Sequence, residues 1–166
     1  MDSRSPMRSA SRSPSSPQRT WDDVVEGESL PPSVDRITLE RVVASAAATA
    51  VYFGGHIDAD YARTVQGRRH VYLATGPILG LLDRYVTSWA GPAAFLVKRS
   101  MRMAESICAG DEIRFEGTVV RKASEERAGR TAWVVELELA IVNAEGKRCV
   151  TATAKWALPR REGSLR

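Results

Sequence analysis

The chain has 166 residues, 43% of them hydrophobic and 27% charged, with a formal net charge of +4 at pH 7. That length suits one single-core domain rather than two, and the composition excludes wholesale disorder, a collagen-like repeat and a disulfide scaffold. A pI near 9.4 raises the question of nucleic acid, so the position of the charge matters. Residues 1–19 carry Arg4, Arg8, Arg12 and Arg19 against Asp2, a net of +3, and residues 160–166 carry Arg160, Arg161 and Arg166 against Glu162, a net of +2. The body from Thr20 to Pro159 is left with −1, so the basic character belongs to the ends and no nucleic-acid partner is expected.

The first nineteen residues hold seven Ser and three Pro and almost nothing large and apolar. Such a segment cannot bury enough surface to offset its ordering entropy, and disorder is expected. It has no apolar stretch of the kind a secretory signal needs. No run approaches the ~18 apolar residues that a membrane span requires, so no membrane partner is expected and a cytoplasmic location is the default. Cys108 and Cys149 match no metal spacing and no disulfide framework, and are expected to pack as small apolar residues. The organisation read from the chain is a basic Ser/Arg/Pro-rich tail over 1–19, a domain over 20–159 and a basic tail over 160–166.

From Trp21 the texture changes. Val24 to Pro32 reads as a short entry strand and turn. Thr38 offers a helix N-cap, and Val42, Val43, Ala46, Ala47, Ala50 and Val51 recur at helical spacing up to Gly54-Gly55, where glycine permits a change of direction. Asp58 is a cap for a short helix through Tyr61 and Ala62, and Gly67, Arg68 and Arg69 form a loop. Pro77 in a first turn opens a strongly apolar helix from Ile78 to Val86 that ends before Gly91-Pro92, with apolar residues on nearly every side, so burial all round is expected.

The second half alternates with period two. Phe95, Val97, Arg99, Met101 and Met103 would share one strand face; Ile113, Phe115, Gly117 and Val119 another; Val135, Leu137, Leu139 and Ile141 a third; Val150, Ala152, Ala154 and Trp156 a fourth. Ser124–Gly129 and Asn143–Lys147 read as connectors. Helices followed by a run of antiparallel strands make an α+β domain, and one long buried helix wrapped by such a sheet is the hotdog arrangement.

There is no P-loop, dinucleotide fingerprint, metal-binding histidine pair or nucleophile elbow, and no metal or cofactor is implied. Two histidines exist. His56 follows Gly54-Gly55 at the junction of two helices and is a catalytic candidate. His70, beside Arg68 and Arg69, reads as solvated. Arg99 interrupts an apolar strand face and needs a partner, either a carboxylate of another strand or a ligand anion such as a CoA phosphate. Arg68 and Arg69 could meet the same phosphates, although loop arginines are more often simply solvated. Met101 and Met103 read as core rather than substrate lining.

From Trp21 to Pro159 the chain resembles the MaoC-like, R-specific enoyl-CoA hydratases, which are single-hotdog acyl dehydratases. The matching pieces are Val25-Glu26-Gly27-Glu28-Ser29-Leu30-Pro31, His56-Ile57-Asp58 with Tyr61-Ala62, Ala74-Thr75-Gly76, Ala109-Gly110-Asp111 and Leu158-Pro159. The stretch Asp83 to Pro92 is similar to small actinobacterial subunits that pair with a second hotdog chain in steroid side-chain breakdown. The resemblance implies addition of water to a trans-2-enoyl thioester, or its loss from the (R)-3-hydroxy form. An Asp-x4-His pair would handle the water and its proton. Backbone N–H groups at Thr75 and Gly76 would stabilise the thioester oxygen.

One departure is chemical. If His56 is the histidine of that pair, the aspartate position is Val51, which can neither take a proton nor hold a water. Three alternatives remain: a non-catalytic subunit that shapes the acyl site of an active partner, use of Asp58 or Asp60 with His56, or binding of acyl-CoA without turnover as a regulator or scaffold. For Asp58, helix capping competes with catalysis. A homodimer, or a heteromer with a second hotdog chain carrying an intact Asp-x4-His, is the expected assembly.

Overall fold

The computed structural model describes residues 18–127 and 129–161. Its elements run β1 (Ser33–Arg36), α1 (Leu39–Ala48), α2 (Gly54–Ile57), α3 (Ala59–Thr64), α4 (Thr75–Ala90), β2 (Phe95–Met103), β3 (Glu112–Arg127), β4 (Arg130–Asn143) and β5 (Arg148–Ala157), after a single 3-10 turn at Trp21–Asp23. The strands form one antiparallel sheet in the order β1-β3-β4-β5-β2, so β1 and β2 are its edges.

Period-two patterning places this sheet over α4. Val119, Leu137, Ala154 and their neighbours of like parity point inward, and Phe115, Ile113, Leu137 and Ile141 are fully enclosed. On α4, Ile78, Leu81, Leu82, Tyr85, Val86, Trp89 and Ala90 form one buried stripe at three- and four-residue spacing. Tyr85 stacks on Phe115 with centroids 5.3 Å apart, made possible by Gly117, whose absent Cβ would stand 3.2 Å from the Tyr85 ring. Burial all round does not occur: Gly76, Gly80, Arg84 and Ser88 are exposed, a four-residue spacing that keeps the small and polar residues on one outer face.

Other expectations change in detail. The entry segment 24–32 is not a regular strand. It runs beside β3 through Gly27 N–H to Val119 O, Val119 N–H to Glu28 O and Leu30 N–H to Gly117 O, and the regular strand is Ser33–Arg36. Thr38 caps α1 by accepting from Arg41 N–H, as its position predicts. The helix stops at Ala48, before Val51, because Ala50 takes a left-handed conformation with φ +53°. Gly54 and Gly55 therefore open α2 instead of ending α1.

A bulge between Leu96 and Lys98 resets the alternation of β2, so Leu96, Arg99, Met101 and Met103 oppose the inward residues of β5 while Phe95 is exposed. Strand β3 runs on to Arg127, so most of the 124–129 connector is strand. Gln18 and Arg19, assigned above to the tail, bond to Ala90 O, and Arg160 and Arg161 pair with Asp22 and Asp23. Residues 1–17 lie outside the described residues. No helix among the described residues is long and apolar enough to cross a membrane.

Candidate active site

Gly54 and Gly55 decide where His56 sits. A Cβ at Gly54 would lie 2.7 Å from the Tyr61 ring, and one at Gly55 would lie 2.7 Å from the Tyr72 hydroxyl and 2.9 Å from Phe53. Only glycine lets the chain pass between these rings and present His56 from α2. The imidazole meets Phe53 and Tyr72 edge-on, with centroids 5.5 and 4.9 Å away. It is the one buried polar or charged residue among the described residues, 8% exposed.

His56 Nδ1 lies 2.7 Å from the backbone oxygen of Tyr72. A carbonyl oxygen only accepts, so Nδ1 carries the hydrogen, and the neutral ring keeps its lone pair on Nε2. That carbonyl is itself on a fixed segment. Tyr72 bridges Cys108, Leu73 N–H donates to Ile107 O, and Ala109 N–H donates to Val71 O.

His56 lines a cavity of about 390 Å³ together with Phe53, Tyr72, Thr75, Ile78 and Met103, and with Arg68, Glu105 and Ser106. Thr75 is the first residue of α4. Its N-cap, Ala74, supplies no side-chain hydrogen bond to the first turn, and the exposed Gly76 follows. The start of the helix therefore faces the cavity with backbone donors that no side chain caps. A second hollow of about 390 Å³ adjoins it, sharing Arg68, Glu105 and Ser106 and adding Arg69, Lys147 and Glu145. A larger open depression of about 530 Å³ lies elsewhere, against Thr118, Glu138, Thr151 and Thr153, and contains neither histidine nor cysteine.

The remaining candidates separate clearly. Asp58 is a cap: its Oδ1 accepts from Asp60 N–H and Tyr61 N–H at 2.9 and 3.1 Å, and it does not line the His56 cavity. Asp60 pairs with Arg63. Val51 is 38% exposed on the link between α1 and α2. Arg99 finds its carboxylate on the helix rather than on a strand, bonding Asp83 and the Leu79 carbonyl, both on α4. It too lies outside the cavity lining.

His70 Nδ1 accepts from the Val71 N–H. Arg69 pairs with Asp111 at 2.7 Å, which leaves Arg68 at the cavity wall. Met101 packs on the core as expected, whereas Met103 is 49% exposed and lines the cavity, correcting the core reading of that residue. Cys108 and Cys149 are buried free thiols, and burial pushes both upward from the usual thiol range. No cluster of three or more metal-ligating side chains occurs among the described residues.

The sequence pattern missed Glu105 and Tyr72. Tyr72 acts through its carbonyl oxygen, which side-chain chemistry does not advertise.

No family model matches the chain. Over 78 residues it is 35% identical to the 3-oxo-4,17-pregnadiene-20-carboxyl-CoA hydratase beta subunit of Mycobacterium tuberculosis, a match covering 47% of this chain and 60% of that subunit. The chain thus spans about three-fifths of that relative's length. In the crystal structure of the ChsH1–ChsH2 complex from Mycobacterium tuberculosis, the similarity has a TM-score of 0.69 at 27% identity, covering 81% of this chain and 98% of that one. The chain is a hotdog-fold protein. The R-hydratase PhaJ1 from Pseudomonas aeruginosa shares the fold with a TM-score of 0.74 over 86% of each chain, at 19% identity. The resemblance to a hydratase read from the sequence is matched by that hydratase subunit in sequence, and the R-hydratase shares the fold.

Proposed function

We propose that this hotdog protein is a component of an enoyl-CoA hydratase or (R)-3-hydroxyacyl-CoA dehydratase, acting on an acyl thioester. The observation that carries the reading is His56, buried in a cavity at the start of α4 with Nδ1 committed to the Tyr72 carbonyl. In the hydration direction, Nε2 takes a proton from water as the oxygen bonds to Cβ of the enoyl group, and the same proton passes to Cα. Negative charge develops on the thioester oxygen. The Thr75 and Gly76 N–H groups, at the positive end of α4, would stabilise it, while Pro77 has no N–H to offer.

A second hotdog chain fits the surface. Edge strand β2 leaves a row of backbone groups unpaired among the described strands and exposes Phe95, and Val51, Tyr52, Phe53 and Ile57 are exposed along the segment that carries His56. The partner is a second copy or a related chain with an intact Asp-x4-His. Two free, buried thiols fit a reducing, cytoplasmic compartment.

Val51 supports one further reading, a hotdog protein that binds acyl-CoA without turning it over. The test is to purify the chain alone and with a hotdog protein encoded beside it, and to follow loss of the enoyl absorbance of crotonyl-CoA. Turnover that falls about 100-fold or more in His56→Ala is expected. Undiminished turnover in that variant overturns the role of His56, and tight acyl-CoA binding without turnover in either preparation supports the binding protein.

A further inference from the structure

We propose that Glu105 is the carboxylate that works with His56, in place of the one absent at Val51. This inference rests on the hydratase reading and adds a catalytic residue to it. Glu105 is the only carboxylate among the described residues lining the His56 cavity. The alternatives near His56 in sequence are otherwise engaged or misplaced: Asp58 accepts two N–H groups of its own helix, Asp60 pairs with Arg63, and Val51 stands outside the lining.

Glu105 is presented from a fixed backbone. Its N–H and that of Ala104 both donate to Cys149 O, at 3.2 and 2.9 Å, which ties this segment to β5. The same segment continues into the Tyr72–Cys108 bridge and the Leu73 N–H to Ile107 O bond. Antiparallel pairing leads back from Cys108 toward Glu105 as it leads forward from Tyr72 toward Thr75, and Glu105 and Thr75 both reach the cavity. The Tyr72 carbonyl on this small ladder is the group that holds His56. One element thus orients the imidazole and carries the carboxylate.

The carboxylate itself has no hydrogen bond or ion pair to another described residue, so it is free to take a ligand or a water. A water bonded to both groups needs them within about 6 Å, two hydrogen-bond lengths. Both groups line the same cavity of about 390 Å³, and a glutamate side chain can swing within it. The step balances without any co-reactant. Glu105 accepts one O–H of the water and orients it. His56 Nε2 removes the other proton as the O–Cβ bond forms, the π pair moves to Cα, and Nε2 returns that proton to Cα.

The experiment compares crotonyl-CoA hydration by the full chain, alone and with its hotdog partner, for wild type, Glu105→Gln, Asp58→Asn and His56→Ala. Glu105→Gln keeps size and shape, and a urea midpoint equal to wild type establishes that it folds. The expected result is a fall in kcat of about 100-fold or more with KM changed less than threefold, and near-wild-type kcat for Asp58→Asn. A folded Glu105→Gln that retains kcat while His56→Ala is dead overturns the role of Glu105 and leaves the hydratase reading intact. A wild-type chain inactive in both preparations overturns the hydratase reading and this inference with it.

Discussion

Adding one methyl group at Gly55 should destabilise the protein and displace His56, whereas the same change at Gly80 should do the reverse. At Gly55 the new Cβ would lie 2.7 and 2.8 Å from Tyr72 and 2.9 Å from Phe53. Both rings pack edge-on against His56, so neither can withdraw without moving the imidazole. Overpacking of this kind costs about 1–3 kcal/mol, which for a chain of this size lowers Tm by roughly 2–12 °C. At Gly80, inside α4 and exposed, nothing lies within 4 Å of the built Cβ. Alanine there should contribute about 0.5–1 kcal/mol through helix propensity alone. Thermal and urea denaturation of the two variants measure the pair, and crotonyl-CoA hydration reads the displacement of His56 in Gly55→Ala. Equal Tm for Gly55→Ala and wild type, or shifts of the same sign in both variants, would refute the steric argument.

Two further outcomes follow from ionisable groups. Hydrogen bonds from the Thr20 hydroxyl and Thr20 N–H, with Arg161 adding to them, hold Asp23 down from 3.8 to about 2. Stability from this carboxylate is therefore fully present above about pH 4 and is lost as pH falls toward 2, so Asp23→Asn should lose less of its urea midpoint between pH 5 and pH 2.5 than wild type; identical losses contradict the assignment. Burial raises the Cys108 and Cys149 thiols, and both side chains are enclosed. Iodoacetamide at pH 8 should leave them unmodified in the native protein and label both in urea, as mass spectrometry can count; rapid native labelling would contradict their burial.

Periodicity carried most of the fold, because the strands that face α4 alternate and α4 itself carries Pro77 in its first turn and stops at Gly91. It failed where a single backbone angle or one extra residue decides the outcome. Ala50 ends α1 in a left-handed conformation although alanine is the strongest helix former, and tertiary context overrides that preference. The bulge after Leu96 puts Leu96 rather than Phe95 and Val97 on the face shared by Arg99, Met101 and Met103, and no residue type at that point announces it. Gly54 and Gly55 were visible as special, but their function is room for two tyrosine rings rather than helix termination. At the site, His56 stood out as one of two histidines beside a glycine pair. Its anchor did not, since a backbone oxygen sixteen residues away carries no signature, and Glu105 reaches the cavity only through pairing between distant segments.

The charge distribution acquires a physical meaning at the ends of the domain. Arg19 pairs with Glu28 at 2.9 Å and lies over Trp89; Arg160 pairs with Asp22 at 2.9 Å and lies over Trp133; Arg161 pairs with Asp23. Trp21 N–H donates to Pro159 O, and Lys122 sits 4.0 Å from the Trp21 ring, so the two ends of the described chain are fastened to each other as well as to the body. Three of the seven arginines that made the ends basic are thus matched by carboxylates of the body. A nucleic-acid surface needs cations free to replace counterions on phosphate, and these three are engaged in closing the fold. Near the cavity the balance differs: Arg69 is taken by Asp111, while Arg68, at the wall beside Glu105, has no carboxylate partner among the described residues. Arg68 and Glu105 both line the His56 cavity without an ion pair to another described residue, so the charge beside the site is separate from the surplus that sets the pI.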